Sequence, residues 1–211
     1  MKYFDTLPKI YIDDYNGNYI LATNLLARSE LIPSLLKNPL LFYAYDIQEG
    51  DTPDSIANKY YGDPYRYWMI FFANQIIDPQ WDWPMTSQQF GDYLVDKYSA
   101  YALSVDVGVV TGYCTATIYG YTKTISTVDG LSGVTTTNTY NIDLPTYQSL
   151  LTSVNTQYFP DGNYVTQIVT KTPLSIYDYE TQQNEAKRSI NLINNQYVSL
   201  IESQFKSLMS N

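Results

Sequence analysis

Histidine is absent from the 211 residues, cysteine occurs once, and lysine and arginine together number 12 against 21 acidic residues. Without histidine, Ser-His-Asp and Cys-His nucleophile systems are excluded, and so is any zinc site built on imidazole. The lone Cys114 permits no intrachain disulfide, and its simplest role is a small buried hydrophobe in a strand. A net charge of −9 argues against nucleic acid, acidic membranes or acidic wall polymers as partners. The one adjacent basic pair, Lys187-Arg188, lies beside Glu185 on an expected helix, where intrahelical pairing accounts for it. No apolar run approaches about 18 residues and no secretion signal opens the chain, so a soluble protein made in the cytosol is expected. P-loop, dinucleotide and EF-hand patterns are missing as well, and no cofactor or metal is expected.

What is abundant is tyrosine, with 23 residues. Its large stiff ring with one polar handle suits protein interfaces, and it equally suits strands with one wet face. The length allows one large or two small domains with a real core.

The stretch Tyr45–Asn74 carries the clearest local signals. Gly50 in the Glu49-Gly50-Asp51 turn can take a positive φ, Thr52 is a natural N-cap, and Pro53 and Asp54 suit the first helical turn. Ile56, Ala57, Tyr60 and Tyr61 recur at helical spacing until Gly62, a C′ residue, ends the helix. Asp63-Pro64 repeats the cap signal for a second helix, from Tyr65 to about Asn74. Apolar residues occupy almost all of its faces and Arg66 is its only charge, so it must be covered on more than one side.

Tyr45, Gly50-Asp51-Thr52, Ile56-Ala57, Tyr61-Gly62 and Asn74 resemble the LysM module, a strand-helix-helix-strand fold known mainly for binding N-acetylglucosamine polymers. Where that module closes with a glycine turn and a strand, this chain runs Ile76-Ile77-Asp78-Pro79 into Trp81-Asp82-Trp83-Pro84. The block from Tyr60 to Met85 resembles a narrower family, the baseplate wedge protein 53 of T-even-type contractile-tailed phages. Two further blocks, Tyr3–Asp13 and Tyr177–Ile193, are similar to that family's N-terminal arm and C-terminal pattern. The resemblance implies a virion subunit present in six copies per baseplate. It would bind the wedge scaffold proteins, lie near the sheath initiator, and help to join wedges around the hub.

Four segments are expected, in an α+β fold. Residues 1–44 form an extended arm with a turn at Asn16-Gly17-Asn18 and a short helical stretch from about Thr23 to Leu36, interrupted near Pro33. Residues 45–98 form the LysM-like module with an added helix whose stripe, Phe90, Tyr93, Leu94 and Tyr98, packs back on it. Residues 99–173 are rich in Thr, Val and Tyr and form a small antiparallel sheet, with hairpin turns at Asp129-Gly130 and Asp161-Gly162. Residues 174–211 form one long C-terminal helix on the spacing of Ala186, Ile190, Ile193, Tyr197 and Leu200.

Catalysis has little to work with. A glycosidase needs only two carboxylates, but Asp51, Asp54 and Asp63 have turn or cap roles, and Asp82 between two tryptophans is the one acid set as in a sugar site. The leading expectation is therefore a structural wedge subunit that is not an enzyme. The alternative is a LysM-type peptidoglycan-binding module, supported by the Gly50-Asp51-Thr52 loop. Candidate interface or module-defining residues are Tyr45, Gly50, Asp51, Thr52, Tyr61, Trp68, Asn74, Trp81, Trp83, Arg188 and Tyr197.

Overall fold

A computed structural model describes residues 2–27 and 37–209. The chain builds one unit from segments 1–86 and 184–211 and a second unit from residues 87–183.

In the first unit, a 3-10 turn at Tyr3–Thr6 leads into the hairpin of β1 (Lys9–Asp13) and β2 (Tyr19–Thr23), with Asp13 opposite Tyr19. The Asp14 carboxylate shapes the hairpin turn by accepting from the backbone N–H groups of Asn16 and Asn18. Of the helical stretch expected from Thr23 to Leu36, Thr23 ends β2 and Asn24 to Ala27 form a turn; residues 28–36, with Pro33, lie outside the described residues.

β3 (Phe42–Asp46) then enters the turn before α1 (Pro53–Tyr61). Thr52 and Ser55 form a reciprocal capping box, and Gly62 ends the helix at φ +69° with its N–H on the Asn58 carbonyl. Asp63 accepts from Tyr65 N–H, so the second helix opens with a 3-10 turn at Pro64–Arg66 before α2 (Tyr67–Asn74). A short α3 (Pro79–Asp82) follows, capped by Asp78.

The strand that pairs with β3 comes from the far end of the chain. β8 (Ser189–Ile193) lies antiparallel to it, with Phe42 opposite Ile193 and Asp46 opposite Ser189, and α8 (Asn195–Met209) completes the unit. The single long helix expected over 174–211 is thus corrected to a helix, a strand and a helix. In Ser189–Ile193 the exposed Ser189 and Asn191 alternate with the buried Ile190 and Leu192, the two-residue period of a strand. Asn194 then accepts from Gln196 N–H and starts α8. The apolar spacing of threes and fours that suggested a helix is shared between these elements. The core of the unit joins Ile56, Ala57, Met69, Ile70, Leu192, Ile193 and Phe205, with Leu7 from the N-terminal segment.

The second unit begins with α4 (Ser87–Ala102) and α5 (Val107–Ala116), the latter capped by Asp106. β4 (Ile118–Asp129), β5 (Thr135–Ile142), β6 (Ser153–Tyr158) and β7 (Tyr164–Ser175) form an antiparallel sheet in the order β5-β4-β7-β6. α6 (Leu144–Ser149) connects β5 to β6, and α7 (Ile176–Glu185) follows β7. The antiparallel sheet is as expected, with two corrections around it. Phe90, Tyr93, Leu94 and Tyr98, expected to pack back on the strand-helix-helix block, are packed within this unit against Val110, Cys114 and Ile176. Cys114 is fully buried, but in α5; the β-branched, glycine-containing run Val107–Ala116 reads locally as strand until the Asp106 cap is considered.

A polar centre holds this helical layer. Glu180, 4% exposed, accepts from Tyr98 Oη (2.6 Å), Lys97 Nζ (2.8 Å) and Tyr93 Oη (2.9 Å). Burial alone would raise its pKa; the bonds from Lys97, Tyr98 and Tyr93 outweigh it and leave the carboxyl below the ordinary value.

Candidate functional site

The candidate residues fall into a frame and a surface. The frame begins at Asp51. Gly50, at φ +81°, turns the chain so that the Asp51 carboxylate accepts from Tyr45 Oη (2.7 Å), Lys59 Nζ (2.7 Å) and Gln48 N–H (3.1 Å). Trp83 Nε1 donates to the Asp51 carbonyl at 3.1 Å. Burial pushes the Asp51 carboxyl up, but the hydrogen bonds from Lys59 and Tyr45 bring it below its usual range. The same bond to Asp51, with burial second, pushes Tyr45 up to about 12. Asp51 is therefore occupied as a structural hub, and Thr52 beside it serves as the cap of α1.

Tyr61 and Asn74 attach the distant strand. Tyr61 Oη accepts from Ile193 N–H at 2.8 Å inside the core, and burial holds its hydroxyl neutral well above the usual tyrosine range. Asn74 accepts from Asn191 N–H and donates to the Asn191 and Ile70 carbonyls. Arg66 bridges to Glu202 of α8 at 2.9 Å and donates to the Tyr61 carbonyl. Trp68, 2% exposed, packs in an aromatic cluster with Tyr3, Phe72 and Phe205, and its Nε1 has no hydrogen-bond partner among the described residues. Tyr197 is half-buried against the same core.

The surface is formed by Trp81 and Arg188. Trp81 is 55% exposed, with Ile77 also exposed, and its carbonyl accepts from Lys187 Nζ. Asp82, the acid between the two tryptophans, accepts from the backbone N–H groups of Ile77 and Asp78 and so closes its own loop. Arg188 lies beyond the end of α7 and pairs with Glu185 (2.7 Å) and Glu49 (3.3 Å) while donating to the Ile47 carbonyl. The intrahelical pair expected of it is thus a clamp between the β3–α1 turn and the start of β8. Arg188, Glu185, Glu49 and Ile47 line a shallow depression of about 460 Å³ with Asp46, Gln48 and Ser189.

Among the described residues no three His, Cys, Asp or Glu side chains gather where a metal could sit, and no helix is long and apolar enough to cross a membrane. The Arg66–Glu202 bridge, the role of Asn191 and the Glu180 centre escape sequence reasoning, because each joins residues more than eighty positions apart. Tyr3, in the N-terminal segment expected to be extended, packs against Trp68 and Phe205.

Comparison with known proteins adds one finding. The family model described as base plate wedge protein 53 matches residues 32–104, which is 73 of the 211 positions and spans β3 through α4. No curated protein matches the chain.

Proposed function

We propose that this chain is a structural subunit of a phage tail baseplate wedge. The observation that carries the reading is its similarity to base plate wedge protein 53 over residues 32–104. Side-chain chemistry agrees with it: the polar groups of the strand-helix-helix block, Asp51, Tyr61 and Asn74, are spent on internal bonds, which suits a rigid block that works by adhesion. The finer reading is a LysM-like block closed by β8, in a contractile tail, with six copies per baseplate. Each copy binds the wedge scaffold and the sheath initiator and takes its place in the virion after assembly in the host cytoplasm. A density map of the phage tail tests this: the chain is expected at the wedge, and a complete baseplate without it would overturn the reading.

The order of β3, α1, α2 and β8 with the Gly50-Asp51-Thr52 turn also favours a second reading, binding of N-acetylglucosamine polymers. Against it stand the internal bonding of Asp51 and Trp83. Titration with N-acetylglucosamine oligomers, followed by the emission of the exposed Trp81, separates the two. A flat response is expected of a wedge subunit, and a saturable one favours the glycan reading.

A further inference from the structure

Both edge strands of the sheet in the second unit lack the features that normally keep sheet edges apart. β5 reads Thr-Thr-Thr-Asn-Thr-Tyr-Asn-Ile and β6 reads Ser-Val-Asn-Thr-Gln-Tyr, with no charge and no proline in either. Edge strands commonly carry lysine, proline or a bulge, because unpaired N–H and C=O groups accept another strand. All of Thr135 to Asn141 is exposed.

The direction of the open groups in β5 follows from its register. Asp129 N–H donates to the Val134 carbonyl, and the ladder continues with Val128 opposite Thr135. Hydrogen-bonded and non-bonded pairs alternate in an antiparallel ladder, so Thr136, Asn138, Tyr140 and Ile142 bond to β4. Thr135, Thr137, Thr139 and Asn141 then direct their N–H and C=O outward. The close hydroxyl pairs Thr124–Thr139 and Ser126–Thr137, both at 3.2 Å, fit the non-bonded positions.

We propose that β5 is an addition edge whose occupant is the β5 strand of a second copy of this chain. An open ladder accepts extended backbone, and this sequence is complementary to itself. A two-fold axis at Asn138 sets Thr137 opposite Thr139 and Thr135 opposite Asn141, and satisfies every outward group in about eight backbone bonds. On the alternate positions Asn138 meets its own copy and Thr136 meets Tyr140, a favourable β-branched and aromatic pair. Charge does not oppose the contact: residues 118–175 hold three acids (Asp129, Asp143, Asp161) and two lysines (Lys123, Lys171), or −1 of the total −9. A single strand pair is a small interface, so the dimer is weak, with Kd on the order of 10 µM. The proposal does not depend on the baseplate reading.

Sedimentation equilibrium of the full chain from about 1 to 200 µM is the test, with a monomer–dimer equilibrium expected. T139P removes the outward N–H together with the exposed hydroxyl contact to Thr124, keeps the backbone bonds to β4, and is expected to weaken the dimer at least tenfold with only a small shift of the thermal melt. N138C brings two cysteines to facing positions and is expected to give a covalent dimer on mild oxidation, whereas T136C, opposite Tyr140, gives none. A monomer throughout the range, a dimer that T139P leaves intact, or equal cross-linking by both cysteine variants would overturn the proposal.

Discussion

The side-chain amide of Asn74 pairs with the backbone of Asn191 as a neighbouring strand would. It accepts from the Asn191 N–H at 2.8 Å and donates to the Asn191 carbonyl at 2.9 Å, across 117 positions of sequence. This contact fastens the end of α2 to β8. N74A is expected to lower stability by about 1–2 kcal/mol in urea unfolding, because two backbone groups of β8 lose their partner. N74D is expected to cost more, since a carboxylate there faces the carbonyls of Ile70 and Asn191.

Tyr3 stacks on Phe205 with ring centres 5.3 Å apart and covers Trp68, while Leu7 is buried nearby. Y3A is expected to destabilise the chain by about 2 kcal/mol and to shift tryptophan emission to the red as water reaches Trp68. An unchanged emission maximum would show that the segment does not seal the cluster.

Glu180 sets an acid limit for the second unit. Its folded pKa lies below the ordinary carboxylate value, so its contribution is complete above the unfolded pKa and is lost as pH falls through the folded one. Stability against urea is therefore expected to hold from pH 7 to about 5 and then to decline. E180Q should flatten the acid limb, while E180A should cost about 2 kcal/mol at pH 7 by leaving Tyr93 and Tyr98 without their acceptor.

Amide exchange should divide the N-terminal segment. Among the described residues β1 and β2 are almost wholly exposed and paired only with each other, so they are expected to exchange within seconds to minutes. α2 and β8, which hold Met69, Ile70, Leu192 and Ile193, are expected to exchange slowest. Comparable protection of the hairpin would mean that another surface covers it.

The parts of this fold that were legible are those written locally. Thr52, Gly62 and Asp63 mark the starts and stops of α1 and α2 through bonds made within four residues. Asp161-Gly162 marks the β6–β7 hairpin in the same way, with Gly162 at φ +86°. In the other hairpin the positive φ falls on Gly133, although Asp129-Gly130 is the stronger dipeptide signal. Illegible were the partners of β3 and Asn74, because a strand pair records no sequence distance. Ser189–Ile193 was misread for a related reason: Ile190 and Ile193 satisfy a helical spacing, and only Leu192 between them reveals the alternation.

For the candidate site the outcome is similar. Tyr45 and Asp51 form a hydrogen-bonded corner, and Thr52 beside it caps α1 through Ser55, as short-range spacing suggests. Arg188 joins that corner only through its bonds to Ile47 and Glu49, a contact that depends on β8 being a strand.

The separation of β3 from β8 in the sequence also orders events during synthesis. Once residue 183 has been added, every residue of the sheet-bearing unit has been made, yet the earlier-made Phe42–Asp46 still lacks its β8 partner. β3 thus waits unpaired until β8 has been made. A premature stop anywhere before Ile193 would leave its half-formed, aromatic-rich nascent chain for chaperones and proteases to clear.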